Sequence, residues 1–188
     1  MPKFIITTGT PGSGKSTILK QISDVKIVSL ADEMLSVAQK GSNGLTDRDK
    51  LRSLSDEEIV KIRAAALRHI NSMRDNSIID THASVKKGTR YVPGLTMDGL
   101  GSLNRVEAII YIDATADEII NRRKKDKTRV REEESKGEIE EQRIVNISLI
   151  SAFAFSLSIP IYIVDNKEGK VDFAVAEVKR IAKEVFGK

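Results

Sequence analysis

The stretch TTGTPGSGKST at residues 7–17 contains a phosphate-binding loop. Within it, GTPGSGKS at 9–16 matches the pattern G-x-x-x-x-G-K-[ST] at every required position. A β-branched run at 3–8 predicts a buried strand before the loop, and a helix is expected from residue 16. In that setting the glycines let successive backbone N–H groups face inward and bind oxyanions together with the helix N-terminus. The stretch therefore predicts a nucleoside triphosphate site rather than a glycine-rich turn without a ligand.

Two side chains of this loop have predicted roles towards the nucleotide. Lys15 would reach the β- and γ-phosphates, and Ser16 would place its hydroxyl group on Mg²⁺. The other residues of the predicted nucleotide-binding loop are Gly9, Thr10, Pro11, Gly12, Ser13, Gly14 and Thr17. A loop of this kind is common to kinases, switches and motors, so it does not identify the reaction.

The composition restricts the class of protein. A chain of 188 residues suits one domain with a substantial core. The absence of cysteine excludes disulfides and thiolate metal sites, and two histidines cannot build a zinc site alone. No apolar run is long enough to span a bilayer, and the N-terminus is typical of a strand rather than a signal peptide, so we expect a cytoplasmic protein without a membrane partner. A net charge of +4 favours anionic partners, but 4% aromatic residues argue against a nucleic-acid-stacking surface.

Strands alternate with helices along the whole chain. After the first strand, further strands are predicted at 26–30, 76–82, 107–113 and 159–165. Helices are predicted at 55–74, 95–103, 115–124 and 138–158 and from 171 onward, and loops at 41–49, 86–95 and 125–137. This alternation predicts an α/β fold, a P-loop three-layer sandwich with a five-stranded parallel sheet flanked by helices.

The motifs of a GTP switch are incomplete. Such a switch needs D-x-x-G after a strand, but the strand end at 80–83 is DTHA, without glycine. It also needs N-K-x-D after a late strand, whereas NKEG at 166–169 ends in glycine and lacks the carboxylate that reads guanine. We interpret NKEG as a turn whose backbone could still border a base.

A small kinase needs a second anion site facing the first and a guanidinium-rich cover. Arg48 and Arg52 lie between the second and third strands, and Arg90 follows the third strand. These arginines could hold an acceptor's phosphate by forked hydrogen bonds. Salt bridges are the alternative, since Arg48 lies between Asp47 and Asp49.

The run NRRKKDKTRVR at 121–131 is the predicted cover, or lid. Arg122, Arg129 and Arg131 would stabilise charge on the transferred phosphoryl group, which makes them candidate catalytic residues together with Lys15. A solvated charge run, or one that contacts nucleic acid, is the alternative interpretation.

Asp80 lies at the carboxyl end of an apolar strand. P-loop folds keep a carboxylate there that holds Mg²⁺ through water, so Asp80 is the second candidate metal residue. A helix cap or a buried turn contact is the alternative. His82, two residues on, could either pack beside the site or touch a substrate.

Five stretches taken together resemble the archaeal-type adenylate kinases, which are P-loop nucleoside monophosphate kinases. In chain order they are GTPGSGKST (9–17), DRDKLRSLS (47–55), IDTHASVK (79–86), RYVPGL (90–95) and RRKKDKTRVR (122–131). The resemblance implies reversible, Mg²⁺-dependent phosphoryl transfer from ATP to AMP, giving two ADP. It also implies a single domain, 1–188, with an AMP-binding insert at about 31–75 and a short lid at about 125–137.

The resemblance also bears on individual residues and on assembly. It implies that 9–17 holds ATP, that Arg48 and Arg90 lie near AMP, and that Arg122, Arg129 and Arg131 lie near the phosphates. Archaeal members often form trimers, so we expect a homo-oligomer.

The chain departs from the family pattern at two places. Relatives carry an arginine at the position of Ile147, and Arg143 lies one turn earlier on roughly that face. Leu30-Ala31 stands after the second strand, where a small residue or glycine is usual, so the acceptor's base pocket could be reshaped.

Three other functions remain possible from the sequence. Another small-molecule or nucleoside monophosphate kinase is the nearest, followed by an RNA-associated P-loop ATPase and then a GTP switch. A kinase of this type would need no nucleophilic side chain, because the acceptor's ionised phosphate oxygen attacks the γ-phosphorus directly.

Overall fold

The computed structural model describes residues 1–40, 51, 54–103, 105–126 and 134–187. In chain order the strands are β1 (Phe4–Gly9), β2 (Lys26–Ser29), β3 (Ser77–Asp80), β4 (Ser84–Lys87), β5 (Arg90–Pro93), β6 (Val106–Asp113) and β7 (Ile161–Asp165). The helices within these ranges are α1 (Lys15–Leu19), α2 (Leu30–Lys40), α3 (Asp56–Asn71), α4 (Met97–Gly101), α5 (Ala116–Lys125), α6 (Lys136–Leu157) and α7 (Val171–Phe186).

Five of the strands form one parallel sheet in the order β2-β3-β1-β6-β7. This confirms the predicted five-stranded α/β fold. The first strand lies at the centre, and its carboxyl end leads directly into the glycine-rich loop. The register sets Thr7 beside Asp80 and Gly9 beside Ile112, so the ends of β3 and β6 flank that loop.

The sheet is covered on both faces, which explains its continuous apolar strands. Alternate residues of β1 enter two different core clusters: Phe4 and Ile6 pack on the side of α2, α3 and α6, and Ile5 packs on the side of α1 and α7. Successive side chains of a strand point to opposite faces of the sheet, so each face has its own core cluster. The sheet and the helices on its two faces make three layers.

Capping boxes define three helix starts. Ser55 with Glu58 and Thr115 with Glu118 form the reciprocal hydrogen bonds that their spacing predicts. The long helix begins at Lys136, two residues before its predicted start, because Ser135 caps it with Glu138. The first helix, expected over 16–23, covers only Lys15–Leu19.

The loop predicted at 86–95 is wrong. There β4 and β5 form an antiparallel hairpin, in which Val85 pairs with Val92 and Gly88 and Thr89 make the turn. Its glycine supplies that turn, and Pro93 is tolerated because it ends a strand in a two-stranded ribbon. The hairpin packs against α6.

Two of the predicted loops lie wholly or partly outside the described residues. The loop at 41–49 lies outside the described residues, as does 127–133 within the predicted lid. No helix in the described ranges is long and apolar enough to cross a membrane.

Candidate functional site

The loop between β1 and α1 has the backbone of a phosphate cradle. Gly12 and Gly14 have φ values of 96° and 91°, in the left-handed region that favours glycine. At Gly14 a Cβ atom would also lie 2.2 Å from the Nδ2 atom of Asn166. Ser13 donates its N–H to the carbonyl oxygen of Thr10 at 2.9 Å, which closes the turn. The loop is therefore shaped by glycine and held from outside by neighbouring residues.

Two candidate residues meet at the sheet edge. Lys15 begins α1 with its side chain 9% exposed, and its Nζ atom forms an ion pair with Oδ1 of Asp80. Asp80 ends β3, beside the strand that carries the loop. The residues predicted to meet the phosphates and the metal thus neutralise each other here. Ser16 and Thr17 are exposed, so their hydroxyl groups are accessible from the loop side.

Arg122 lies in the last turn of α5 and contacts the loop. It donates to the carbonyl oxygens of Ser13 at 3.0 Å and Asn166 at 2.6 Å, and its Nε atom is 3.3 Å from Glu168. The structure therefore brings Arg122 to the loop, where two of its five N–H groups donate to backbone oxygens and one donates to Glu168. Its predicted catalytic role remains a prediction.

Arg123 is a site residue that sequence reasoning missed. It donates to the carbonyl oxygen of Pro11 from Nε at 3.0 Å and from NH2 at 2.6 Å, and it pairs with Glu134. The sequence did contain a signal for this role, namely two adjacent arginines near the end of a helix. Side chains of neighbouring residues point in different directions, so such a pair can contact the loop at two places. The charge run alone did not show which arginines turn inward.

Asn166 was also missed, because NKEG was interpreted as a turn. Asn166 is 4% exposed and donates from Nδ2 to the carbonyl oxygen of Ser13 at 2.7 Å. Its own N–H donates to the carbonyl oxygen of Asp113 at 2.8 Å. It therefore ties the end of β7 to the loop and to the end of β6.

A buried chain of hydrogen bonds lies under the loop. Thr10 Oγ1 shares a hydrogen bond of 2.9 Å with the Tyr111 hydroxyl group and accepts one of 3.3 Å from Nδ2 of Asn146. Ser84 donates to Oδ1 of Asn146 at 2.6 Å. All four residues are 2% exposed or less, and burial raises the pKa of Tyr111. The chain links the loop, the central sheet, α6 and the hairpin.

Arg143 is held at the end of β6. Its Nε and NH2 atoms donate to the two carboxylate oxygens of Asp113 at 2.9 and 2.6 Å, and it also pairs with Glu140. The hydrogen bonds to Asp113 raise the pKa of Arg143. Ile147 packs against the apolar core. Two nitrogens of Arg143 are therefore bound to Asp113 at the end of β6.

Ion pairs fasten the hairpin at both of its flanks. Lys86 lies 3.1 Å from Glu134 and 2.8 Å from Glu138 at the start of α6, and Lys87 lies 3.8 Å from Asp56 at the start of α3. The hydrogen bond from Lys86 is the main reason that the pKa of Glu138 falls to about 2. The hairpin therefore joins the base of the predicted lid to the predicted acceptor segment.

Of the other residues predicted for the site, some lie within the described ranges and some lie outside them. Arg90 is exposed at the end of the hairpin, opposite Lys87. Outside the described residues lie Arg48, Arg52, Arg129 and Arg131. His82 is half-buried, and a Cβ atom at Gly94 would lie 2.0 Å from its carbonyl oxygen, so Gly94 allows that close approach.

The chain is similar in sequence to several known proteins. A family model described as an AAA domain matches residues 8–140, more than half of the chain. The adenylate kinase of Thermoplasma acidophilum is 34% identical over 180 residues, covering 94% of this chain and 96% of that protein. That of Methanothermobacter thermautotrophicus is 34% identical over 95% of this chain and 98% of its own length. That of Pyrobaculum aerophilum is 40% identical over 147 residues, 76% of this chain and 74% of its own length.

Solved structures agree on the fold. The shikimate kinase of Bacteroides thetaiotaomicron superposes with a TM-score of 0.61 at 15% identity, covering 96% of this chain and 98% of that one. The shikimate kinase of Acinetobacter baumannii, in complex with shikimate, gives a TM-score of 0.55 at 13% identity, covering 98% of this chain and 95% of its own. With the phosphate loop, the parallel sheet and the extent of the sequence matches together, the chain belongs to the adenylate kinase family of P-loop proteins.

Proposed function

We propose that this chain catalyses the reversible transfer of a phosphoryl group from MgATP to AMP, giving two ADP. The observation that carries the proposal is the glycine-shaped loop with Lys15 and Asp80 paired at its mouth. The curated relatives that cover almost the whole chain are named adenylate kinases. Cytoplasm is the proposed location, and an archaeal source fits the organisms of these relatives.

The donor nucleotide would bind on the loop at 9–17. Its phosphates would take the inward backbone N–H groups of the loop and the N-terminus of α1. Lys15 would leave Asp80 and meet the β- and γ-phosphates. Ser13 and Pro11 need not move, because Arg122, Arg123 and Asn166 already hold their carbonyl oxygens.

Mg²⁺ fits the residues at this edge. Oxygen donors suit it, and proteins hold it by one or two carboxylates together with substrate phosphates. The exposed hydroxyl group of Ser16 would bind it directly, and the carboxylate of Asp80 would hold it through water. The described residues contain no cluster of three or more histidine, cysteine, aspartate or glutamate residues that could hold a metal ion. When bound, Mg²⁺ neutralises charge on the phosphates.

The chemistry is positioning and charge stabilisation. An ionised oxygen of the acceptor's phosphate attacks the γ-phosphorus in line, so no protein base is required. Lys15 meets the charge that spreads over the transferred group. Arg122 is the proposed arginine at the base of the lid, and Arg129 and Arg131 are proposed to complete it.

The acceptor would bind across the sheet from the donor. The insert at about 31–75 and the lid at about 125–137 form the proposed moving parts of a single domain, 1–188. The hairpin supports this arrangement, because its ion pairs contact both the start of α3 and the start of α6. The residues proposed to hold the acceptor's phosphate are Arg48, Arg52 and Arg90.

The assembly proposed for the chain is a homo-oligomer, with a trimer as one form. Ile144 and Phe155 are 65% and 87% exposed on α6. Eleven residues apart, they lie on one face of the helix. Ser148 and Ser151 lie between them on that face, so the support for contact between copies is two separate exposed apolar side chains.

The test is a mixture of purified chain, MgATP and AMP, followed by ³¹P NMR. The proposal expects ADP to form from both nucleotides and the reverse reaction to start from MgADP alone. Parallel mixtures with CMP, UMP and GMP test the nearest alternative, a kinase for another nucleoside monophosphate. Release of inorganic phosphate from ATP without use of any acceptor would contradict the proposal and favour an ATPase.

A further inference from the structure

Arg63 has an unusual environment on α3. The residue is 9% exposed, and its Nε atom is buried without a hydrogen-bond partner. Within the described residues it forms no hydrogen bond or ion pair through its other nitrogens either. The only other cation in the described chain that is buried to this degree is Lys15, which has Asp80 beside it. Arg63 is therefore a covered guanidinium that has no partner among the described residues.

The surroundings of Arg63 are apolar. Ile62, Ala66, Leu67 and Ile70 share the buried face of α3 and belong to one core cluster. The facing helix, α2, contributes Leu30, Met34 and Ala38 to that cluster. A guanidinium stays charged in proteins, and covering a charge without a partner is strongly unfavourable. Burial accordingly lowers the pKa of Arg63.

The position along α3 indicates which part of a nucleotide could reach this group. The helix starts near the carboxyl edge of the sheet, where Asp56 meets Lys87 of the hairpin, and it leads towards Ser77 at the opposite edge. Arg63 lies seven residues in, about 10 Å from the start of the helix. Arg63 therefore lies away from the carboxyl edge of the sheet, where the phosphates of the two nucleotides would meet.

Apolar neighbours with one buried donor suit a base better than a phosphate. Ligand sites are mostly apolar with a few placed polar groups, and the flat faces of a base match that lining. A phosphate dianion would draw several cations, whereas Arg63 is the one buried cation on α2 and α3 in the described part of the chain. Since guanidinium groups only donate, the matching atoms are ring nitrogens or carbonyl oxygens.

We propose that Arg63 donates a hydrogen bond to an acceptor atom on the edge of the acceptor nucleotide's base, and that it determines which base is accepted. This rests on the proposed function, whose acceptor site it details. A base that offers two adjacent acceptors could take both arms of the guanidinium, as arginine does with the O6 and N7 atoms of guanine. Adenine offers ring nitrogens alone, so AMP would take a single bond.

The experiment compares the wild type with Arg63→Met, with Arg68→Met on the exposed side of the same helix as the matched control. For Arg63→Met we expect the KM of the preferred acceptor to rise on the order of tenfold, as for loss of a hydrogen bond to a charged group. The ranking of AMP, GMP, CMP and UMP should change, and the KM for ATP should stay within about twofold.

Thermal unfolding provides a readout that does not depend on turnover. Without nucleotide, Arg63→Met should melt at a higher temperature than the wild type, because an unpaired buried charge is gone. The shift in Tm that AMP causes should shrink. Arg68→Met should match the wild type in both respects.

Two results would overturn this proposal. One is a lower Tm for Arg63→Met with unchanged acceptor KM values and ranking, which would make Arg63 a structural residue. The other is failure of both Arg63→Met and Arg63→Gln to fold. If instead the wild type makes no ADP from any acceptor, the proposed function fails, and the Tm shifts with AMP still report whether Arg63 contacts the nucleotide.

Discussion

The proposed donor and acceptor sides of the molecule differ in how their buried polar groups are paired. On the donor side, Pro11 and Ser13 have their carbonyl oxygens held by Arg123, Arg122 and Asn166. On the acceptor side, Arg63 is covered and unpaired within the described residues. The donor side therefore has a preorganised phosphate loop. The acceptor side contains a buried guanidinium that a ligand could pair with.

This difference indicates where binding energy is used. A preorganised site needs little rearrangement when the ligand binds, which favours affinity and positioning. A buried donor that gains its partner only from the ligand discriminates strongly between ligands, because a base lacking the matching acceptor leaves that donor unpaired. The donor side is thus suited to hold phosphates, and the acceptor side is suited to discriminate between bases.

The largest effect is expected at Lys15. We predict that Lys15→Ala lowers kcat/KM by roughly 10³-fold or more, because the charge on the transferred phosphoryl group loses a direct partner. The measurement is initial-rate ADP formation, with Lys20→Ala, an exposed lysine nearby, as control. A folded Lys15→Ala protein with near-normal turnover would show that the loop lysine does not meet the transferred group.

Arg123 tests whether the cradle is built before binding. Arg123→Ala removes both hydrogen bonds to the Pro11 carbonyl oxygen, so the KM for ATP should rise on the order of tenfold with less change for AMP. The exposed neighbour variant Lys124→Ala should leave both constants unchanged. An equal rise for ATP and AMP would mean that Arg123 supports the whole fold rather than the donor side.

Asn146 tests the buried chain beneath the loop. Asn146→Leu leaves Thr10 and Ser84 each short of one partner, so unfolding should become easier by about 1–3 kcal/mol. Denaturant unfolding measures this, with the exposed Ser148→Ala on the same helix as reference. Unchanged stability would mean that water replaces the amide without cost.

The hairpin's ion pair gives the smallest expected effect, seen as pH dependence. The pKa of Glu138 is about 2 in the fold, below its ordinary value of 4.5. Its contribution to stability is therefore full above pH 4.5 and is lost as the pH falls towards 2. Glu138→Gln keeps the capping geometry but not the charge, so it should be less stable than the wild type above pH 5 and converge with it near pH 2.

The control for that titration is Glu57→Gln, an exposed glutamate on α3. The difference in stability between this variant and the wild type should vary less between pH 5 and pH 2 than the difference seen for Glu138→Gln. A gap between Glu138→Gln and the wild type that stays constant down to pH 2 would show that the ion pair with Lys86 contributes nothing.

The sequence predicted the sheet and the loop because both depend on local patterns. Apolar β-branched runs mark the strands, and the spacing at 9–16 marks the phosphate cradle. The hairpin at 84–93 was missed because its glycine and proline, usually breakers, here make a turn and end an edge strand. That distinction depends on packing against α6, which no local pattern contains.

The supporting residues of the site were harder to find for the same reason. Arg123 and Asn166 act on backbone oxygens of a loop that is distant in the chain. Arg63 sits beside the apolar stripe of α3, where a long charged side chain is normally expected to reach solvent. Only the packing of α3 shows that this one is covered.

The most direct test of the contrast between the two sides is a crystal structure with a bisubstrate mimic, two adenosines joined through phosphates. The account predicts that the hydrogen bonds of Arg122, Arg123 and Asn166 to the loop stay as they are, while Arg63 donates a hydrogen bond to the acceptor's base. A bound mimic that breaks those loop contacts, or that makes no hydrogen bond with Arg63, would contradict it.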